Sequence, residues 1–151
     1  MKKSSSSYMM SIFDLLFSFD GRVSRRTFWL WNATYFLLII SVATAVKNFS
    51  PETANMVLPT TLVLLVFPDL VITAKRWHDR NKSRVWLVLY LPLILTRLII
   101  PANTTTTLYQ PTTIESWLSI AAMLCGAWIF IECGLFEGDE KENKYGPVPN
   151  R

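Results

Sequence analysis

A chain of 151 residues with 51% hydrophobic and only 17% charged residues is too apolar for a disordered tail, and two Cys cannot build a disulfide scaffold. Its mean hydropathy of +0.29 exceeds that of ordinary soluble domains, which carry about 25% charged residues. A net charge of +4 is too small to define a nucleic-acid binder, so no nucleic-acid partner is expected.

Residues 1–27 read as an N-terminal segment beside the membrane. Ser7, Ser11, Asp14 and Ser18 recur at spacings of four, three and four, one face of a helix whose remaining positions are apolar. Such a helix is too short and too amphipathic to cross and is expected to lie in the headgroup layer. Asp20-Gly21 supplies a turn, with Gly21 suited to left-handed backbone. Arg22, Arg25 and Arg26 follow, where anionic lipid attracts each basic residue by about 1 kcal/mol. Asp14 and Asp20 interrupt any cleavable leader, so the first apolar stretch is expected to be an uncleaved signal-anchor.

Residues 28–136 contain four apolar stretches: Phe28–Val46, Met56–Ala74, Val85–Ile100 and Trp117–Phe136. At about 1.5 Å per residue, ~20 helical residues cross a ~30 Å hydrocarbon core, so three are long enough and the third is short. A helix apolar on every side needs lipid or a very large protein around it, and this chain is small. Thirteen of the fifteen Lys and Arg fall before the first stretch, between the second and third, or after the fourth. The positive-inside rule then puts both termini and the 75–84 loop in the cytoplasm. The expectation is an all-α integral membrane protein: a four-helix bundle with an N-terminal interfacial amphipathic helix and a cytoplasmic tail at 137–151. Five of the six Trp sit near span ends as interfacial anchors; Trp128 is expected to pack between helices. Ala122 and Gly126 form a small-xxx-small pair that admits a close neighbour.

Polar groups inside spans are costly and therefore informative. Asn32, Asp69 and Glu132 lie about 6, 7.5 and 6 Å beneath the cytoplasmic boundary by helical rise. Asp69, Thr73, Arg76 and Arg80 share one stripe. One reading is a polar binding cluster of Asn32, Asp69 and Glu132, capped by Arg22, Arg25, Arg26, Arg76, His78 and Asp79. The plainer reading is that these pairs fix helix register. His78 is the single histidine, so no metal site is expected, and neither nucleophile nor cofactor motif accompanies the His78-Asp79 pair.

Three ordered motifs resemble one family. Phe19-Asp-Gly-Arg22-Val-Ser-Arg25-Arg26-Thr-Phe-Trp29 is similar to an F-x-G-R-x-x-R-x-x-[FY]-W opening, and Pro68–Trp86 to a loop carrying a paired His-Asp. Asn143-Lys-Tyr-Gly146 is similar to an N-x-[YF]-G ending. Together they resemble the YhaH-like small bacterial inner-membrane proteins, domain of unknown function 805. Lys75, Trp77 and Arg84-Val85 depart from the pattern. The resemblance implies an inner-membrane location and no established activity. Three functions compete: a non-enzymatic module whose basic face docks a partner protein or anionic lipid headgroups, a transporter or channel subunit using Asp69 and Glu132, and an enzyme using His78 and Asp79. Self-association stays open. The acidic tail residues Glu137, Asp139, Glu140 and Glu142 oppose the basic loop in sign, which predicts that the tail folds back over it.

Overall fold

A computed structural model describes residues 11–99 and 110–149. The first half of the expected interfacial helix, the Thr104–Thr107 run and Arg151 lie outside the described residues. Five α-helices follow in order: α1 (Ile12–Phe17), α2 (Arg25–Phe49), α3 (Ala54–Asp79), α4 (Tyr90–Ile99) and α5 (Thr113–Ile129). Short 3-10 turns occupy Pro51–Thr53 and Arg84–Leu89, and a π-helical turn, Phe130–Leu135, extends α5. No β-strand occurs among the described residues.

Local chemistry sets the ends. The Ser24 hydroxyl accepts the Thr27 N–H at 3.3 Å and starts α2. Thr112 and Glu115 form a capping box at the start of α5. Within the spans, polar hydroxyls turn back on their own helix: Thr34 donates to the Leu30 carbonyl, Ser41 to Leu37 and Thr60 to Met56, at 2.7–2.8 Å. Each is thereby satisfied without water.

Three helical stretches are long and apolar enough to cross a membrane: Arg25–Phe49, Met56–Asp79 and Thr113–Leu135. Only 11% of the most apolar window of the first is buried, and 22% of the other two, so large side chains such as Leu37, Leu64 and Met123 point outward. That surface requires lipid. The expected third span differs from a single helix. Arg84–Leu89 winds as 3-10, and regular α-helix begins only at Tyr90. Pro92 has no N–H for the Val88 carbonyl and crowds it, which favours the 3-10 winding before it, and Pro is tolerated in the first turn of α4; α3, by contrast, carries Pro59 and Pro68 within one continuous helix. α4 packs along α5, with Leu93 Cδ2 3.8 Å from where a Gly126 Cβ would stand. Trp128 is 46% exposed and does not pack between helices, contrary to the expectation from its mid-span position.

The tightest packing lies at one end. Nine consecutive residues, Val71–Asp79, are buried, in a chain whose spans are otherwise largely bare. Val23, Phe28, Ile72, Trp77, Tyr90, Ile129 and Cys133 form the core beneath them. α1 lies against α3, where the Lys75 ammonium reaches the Asp14 and Leu15 carbonyls in its last turn, the first of them also accepting the Ser18 N–H. Ile12 and Phe13 stay exposed on its other side.

Candidate functional site

The buried end of α3 is where the three sequence motifs meet. Residues 18–24 run beside the last turns of α3, steered by Gly21 in left-handed backbone (φ 92°). Val23 N–H donates to the Lys75 carbonyl at 3.4 Å, and His78 Nδ1–H donates to the Gly21 carbonyl at 3.1 Å. This places Arg22 against Asp79, with Nε and Nη2 on Oδ1 at 3.0 and 2.8 Å and the two side chains 1% and 5% exposed. The other carboxylate oxygen of Asp79 accepts from Arg76 Nη1. One carboxylate thus bridges two buried guanidiniums, and it leaves one positive charge unbalanced.

Backbone carbonyls take the remaining donors. Arg22 bonds the carbonyls of Asp139 at 2.7 Å, Lys141 at 2.9 Å and Gly146 at 3.2 Å. Asn143 Nδ2 donates to the His78 carbonyl at 2.9 Å, and Asp139 N–H to the Asp79 carbonyl at 2.7 Å. A tight turn, closed by reciprocal Asn143 and Gly146 backbone bonds, lays the Tyr145 ring flat on His78, with centroids 3.8 Å apart. The tail therefore does fold back, but through its main chain, Asn143 and Tyr145; Glu140 and Glu142 stay exposed. Tyr145→Leu is expected to raise amide exchange across residues 139–146 about fivefold, the effect of an aromatic pair worth ~1 kcal/mol.

The end of α5 supplies a second set of acceptors. Five successive carbonyls there each receive a side-chain donor: Glu132 from Arg80, Cys133 and Phe136 from Arg76, Gly134 from Trp29 and Leu135 from Arg25. A helix C-terminus leaves carbonyls unpaired and carries partial negative charge, and the π turn presents them outward to the arginines. The Glu132 carboxylate pairs with Arg80 and with Lys82 at 2.8 Å. Burial and the neighbouring Arg80 charge hold the Lys82 ammonium below the ordinary lysine range.

The structure brings Arg22, Arg76, His78 and Asp79 together, with Glu132 beside them on Arg80 and Lys82. It does not bring Asn32, Asp69 and Glu132 together. Asn32 donates to its own helix at the Phe28 carbonyl, 2.9 Å away. Asp69 accepts from Trp31 Nε1 at 3.0 Å and from the Tyr90 hydroxyl at 3.1 Å, and Tyr90 is joined to Thr73 at 2.7 Å. Equal depth on three helices fixes height but not direction around each helix. Arg76 also turns from the expected Asp69 to Asp79, one turn along. Trp31 and Tyr90 were not legible as Asp69 partners, and neither were the carbonyls; Asn143 and Tyr145 could have been found from their motif. Arg25 is half-exposed with Glu137 at 3.8 Å, and Arg26 is exposed beside it. No group of three or more His, Cys, Asp or Glu is arranged to hold a metal ion among the described residues.

Long apolar helices left bare, closed at one end by a polar cap, define a helical membrane protein. Residues 16–147 match the family described as "Protein of unknown function (DUF805)". Two relatives, each described as "Uncharacterized protein YiiR", come from Escherichia coli strain K12 and Escherichia coli O157:H7; each is 32% identical over 154 residues, covering 91% of this chain and 89% of the relative. The chain belongs to the DUF805 family. No solved structure matches it.

Proposed function

We propose that the protein is a multi-pass inner-membrane module without chemistry of its own, whose basic end lies in the cytoplasm and engages the anionic surface of the inner leaflet. Chain geometry supports four crossings. α3 ends in the polar cap, and the helix Thr113–Leu135 ends there too, on Arg80 and Lys82. A start for that helix a bilayer thickness away calls for a third crossing after Arg84. The thirteen clustered basic residues support a cytoplasmic side for both termini. A reporter fused to the carboxyl end is expected to be active only in the cytosol; activity outside would overturn this orientation.

One observation carries the choice of lipid over a protein partner. Arg22 and Arg76 are consumed inside the cap, whereas Arg25 and Arg26 stand exposed at the point where α2 enters its apolar stretch. That is headgroup depth, and Trp29 marks it. Asp69 and Glu132 sit in separate networks with no shared partner, which removes support from an ion path. The test is extraction into nanodiscs from a bilayer of phosphatidylethanolamine with phosphatidylglycerol. Retained lipid is expected to be enriched in the anionic species by about twofold or more. Retained lipid matching the bulk, or a stoichiometric protein retained in its place, would reject the reading.

A further inference from the structure

Beside the clasp lies a cleft of about 200 Å³ between the start of α2 and the tail. Ser24, Arg25 and Arg26 form one wall, Glu137, Gly138 and Pro149 the other, and Arg76 with Asp79 the floor. We infer that this cleft is a binding site for a phosphate ester, best matched by a dianionic phosphomonoester headgroup. The inference rests on the membrane-surface reading above and specifies its site.

Charge and geometry agree. Arg76 in the floor and Arg22, buried behind it, share the single carboxylate of Asp79, which leaves one positive charge. In the walls, Arg25 and Arg26 face the single carboxylate of Glu137. The lining itself thus holds about one net positive unit, and Arg22 behind Asp79 adds a second, together a match for a phosphomonoester, whose charge is about −1.5 to −2 at neutral pH. The first-turn amides of Arg25 and Arg26 have no intrahelical acceptors, as at any helix start, and the α2 dipole adds positive potential there. Guanidinium forks complement tetrahedral phosphate oxygens. Glu137 supplies the internal contrast. Its carboxylate is 72% exposed and stands 3.8 Å from Arg25, too far for a close ion pair. It therefore loosely occupies the position that a phosphate would take, and competes with it.

Opposite effects of two exposed side chains test this. Protein in neutral-lipid nanodiscs is titrated with short-chain phosphatidic acid, with binding read by native mass spectrometry. Arg26→Gln is expected to weaken binding about tenfold, as for a lost hydrogen bond to a charged group. Glu137→Gln should tighten it about threefold, and Lys141→Gln, on the exposed tail, should change it less than twofold. The same titration with inorganic phosphate distinguishes the source. Competition at equal strength assigns a soluble phosphate, and competition by the lipid alone assigns a headgroup; both support the site. If Arg26→Gln and Lys141→Gln act alike, or Glu137→Gln weakens binding, the cleft is overturned. Anionic enrichment that survives those results would leave the broader membrane-surface reading intact.

Discussion

Asp79→Ala is expected to be the most damaging substitution in the molecule. It removes the one carboxylate between Arg22 and Arg76, whose side chains are 1% and 0% exposed. Two guanidiniums would then face each other in a water-poor cap, and breaking a buried pair this way costs about 3–5 kcal/mol. Opening of the cap is the available relief. Residues 137–149 should become protease-sensitive while the helical circular dichroism of the spans persists, and the protein should accumulate to lower levels. An unchanged cleavage pattern would show that the clasp does not hold the tail. Asp69→Asn is expected to be mild, about 1 kcal/mol or less, because the amide oxygen can still accept from Trp31 while the amide N–H donates to the Tyr90 hydroxyl, which turns its own proton to Thr73.

Gly138→Ala is the second large effect, and Gly126→Ala its control. A Cβ on Gly138 would overlap the Asp79 carboxylate, which Arg22 and Arg76 grip from both sides and which cannot swing away. One added methyl should therefore cost about 1–3 kcal/mol of tail docking. Gly126 also sits against a neighbour, yet its added Cβ would meet Leu93 Cδ2 at an ordinary 3.8 Å. There the better helix propensity of Ala should make the change neutral or slightly stabilising. Hydrogen exchange over residues 139–146 reads both variants. Equal protection in the two would refute the steric argument.

Hydropathy made the spans legible, because a bilayer demands roughly twenty apolar residues whatever else the sequence encodes. The three motifs were legible as blocks, and their convergence gives them a common reason: Arg22 alone touches the second and third. Individual partners were hidden. The Arg22, Arg25 and Arg76 donors end on carbonyls of residues 133–146, and a carbonyl has no residue-type signature. The π turn at Phe130–Leu135 was invisible for the same reason, though Gly134 marks where the Trp29 ring comes close. The third stretch reads as short, but hydropathy carries no signal for the 3-10 turns that precede Tyr90. Asp69 does turn toward neighbouring helices, as its depth implies, but its partners Trp31 and Tyr90 escape a helical stripe, which lists neighbours only along its own helix.

The clasp also orders events during synthesis. Arg22 emerges from the ribosome before α2, yet three of its acceptors, at 139, 141 and 146, are made only after α5. Until then its guanidinium has only Asp79 and cannot be sealed from water. A nascent chain that stalls or is cut before residue 139 therefore exposes an unfinished polar edge that surveillance proteases can grip. Closing the Asn143–Gly146 turn over the first motif shields that edge.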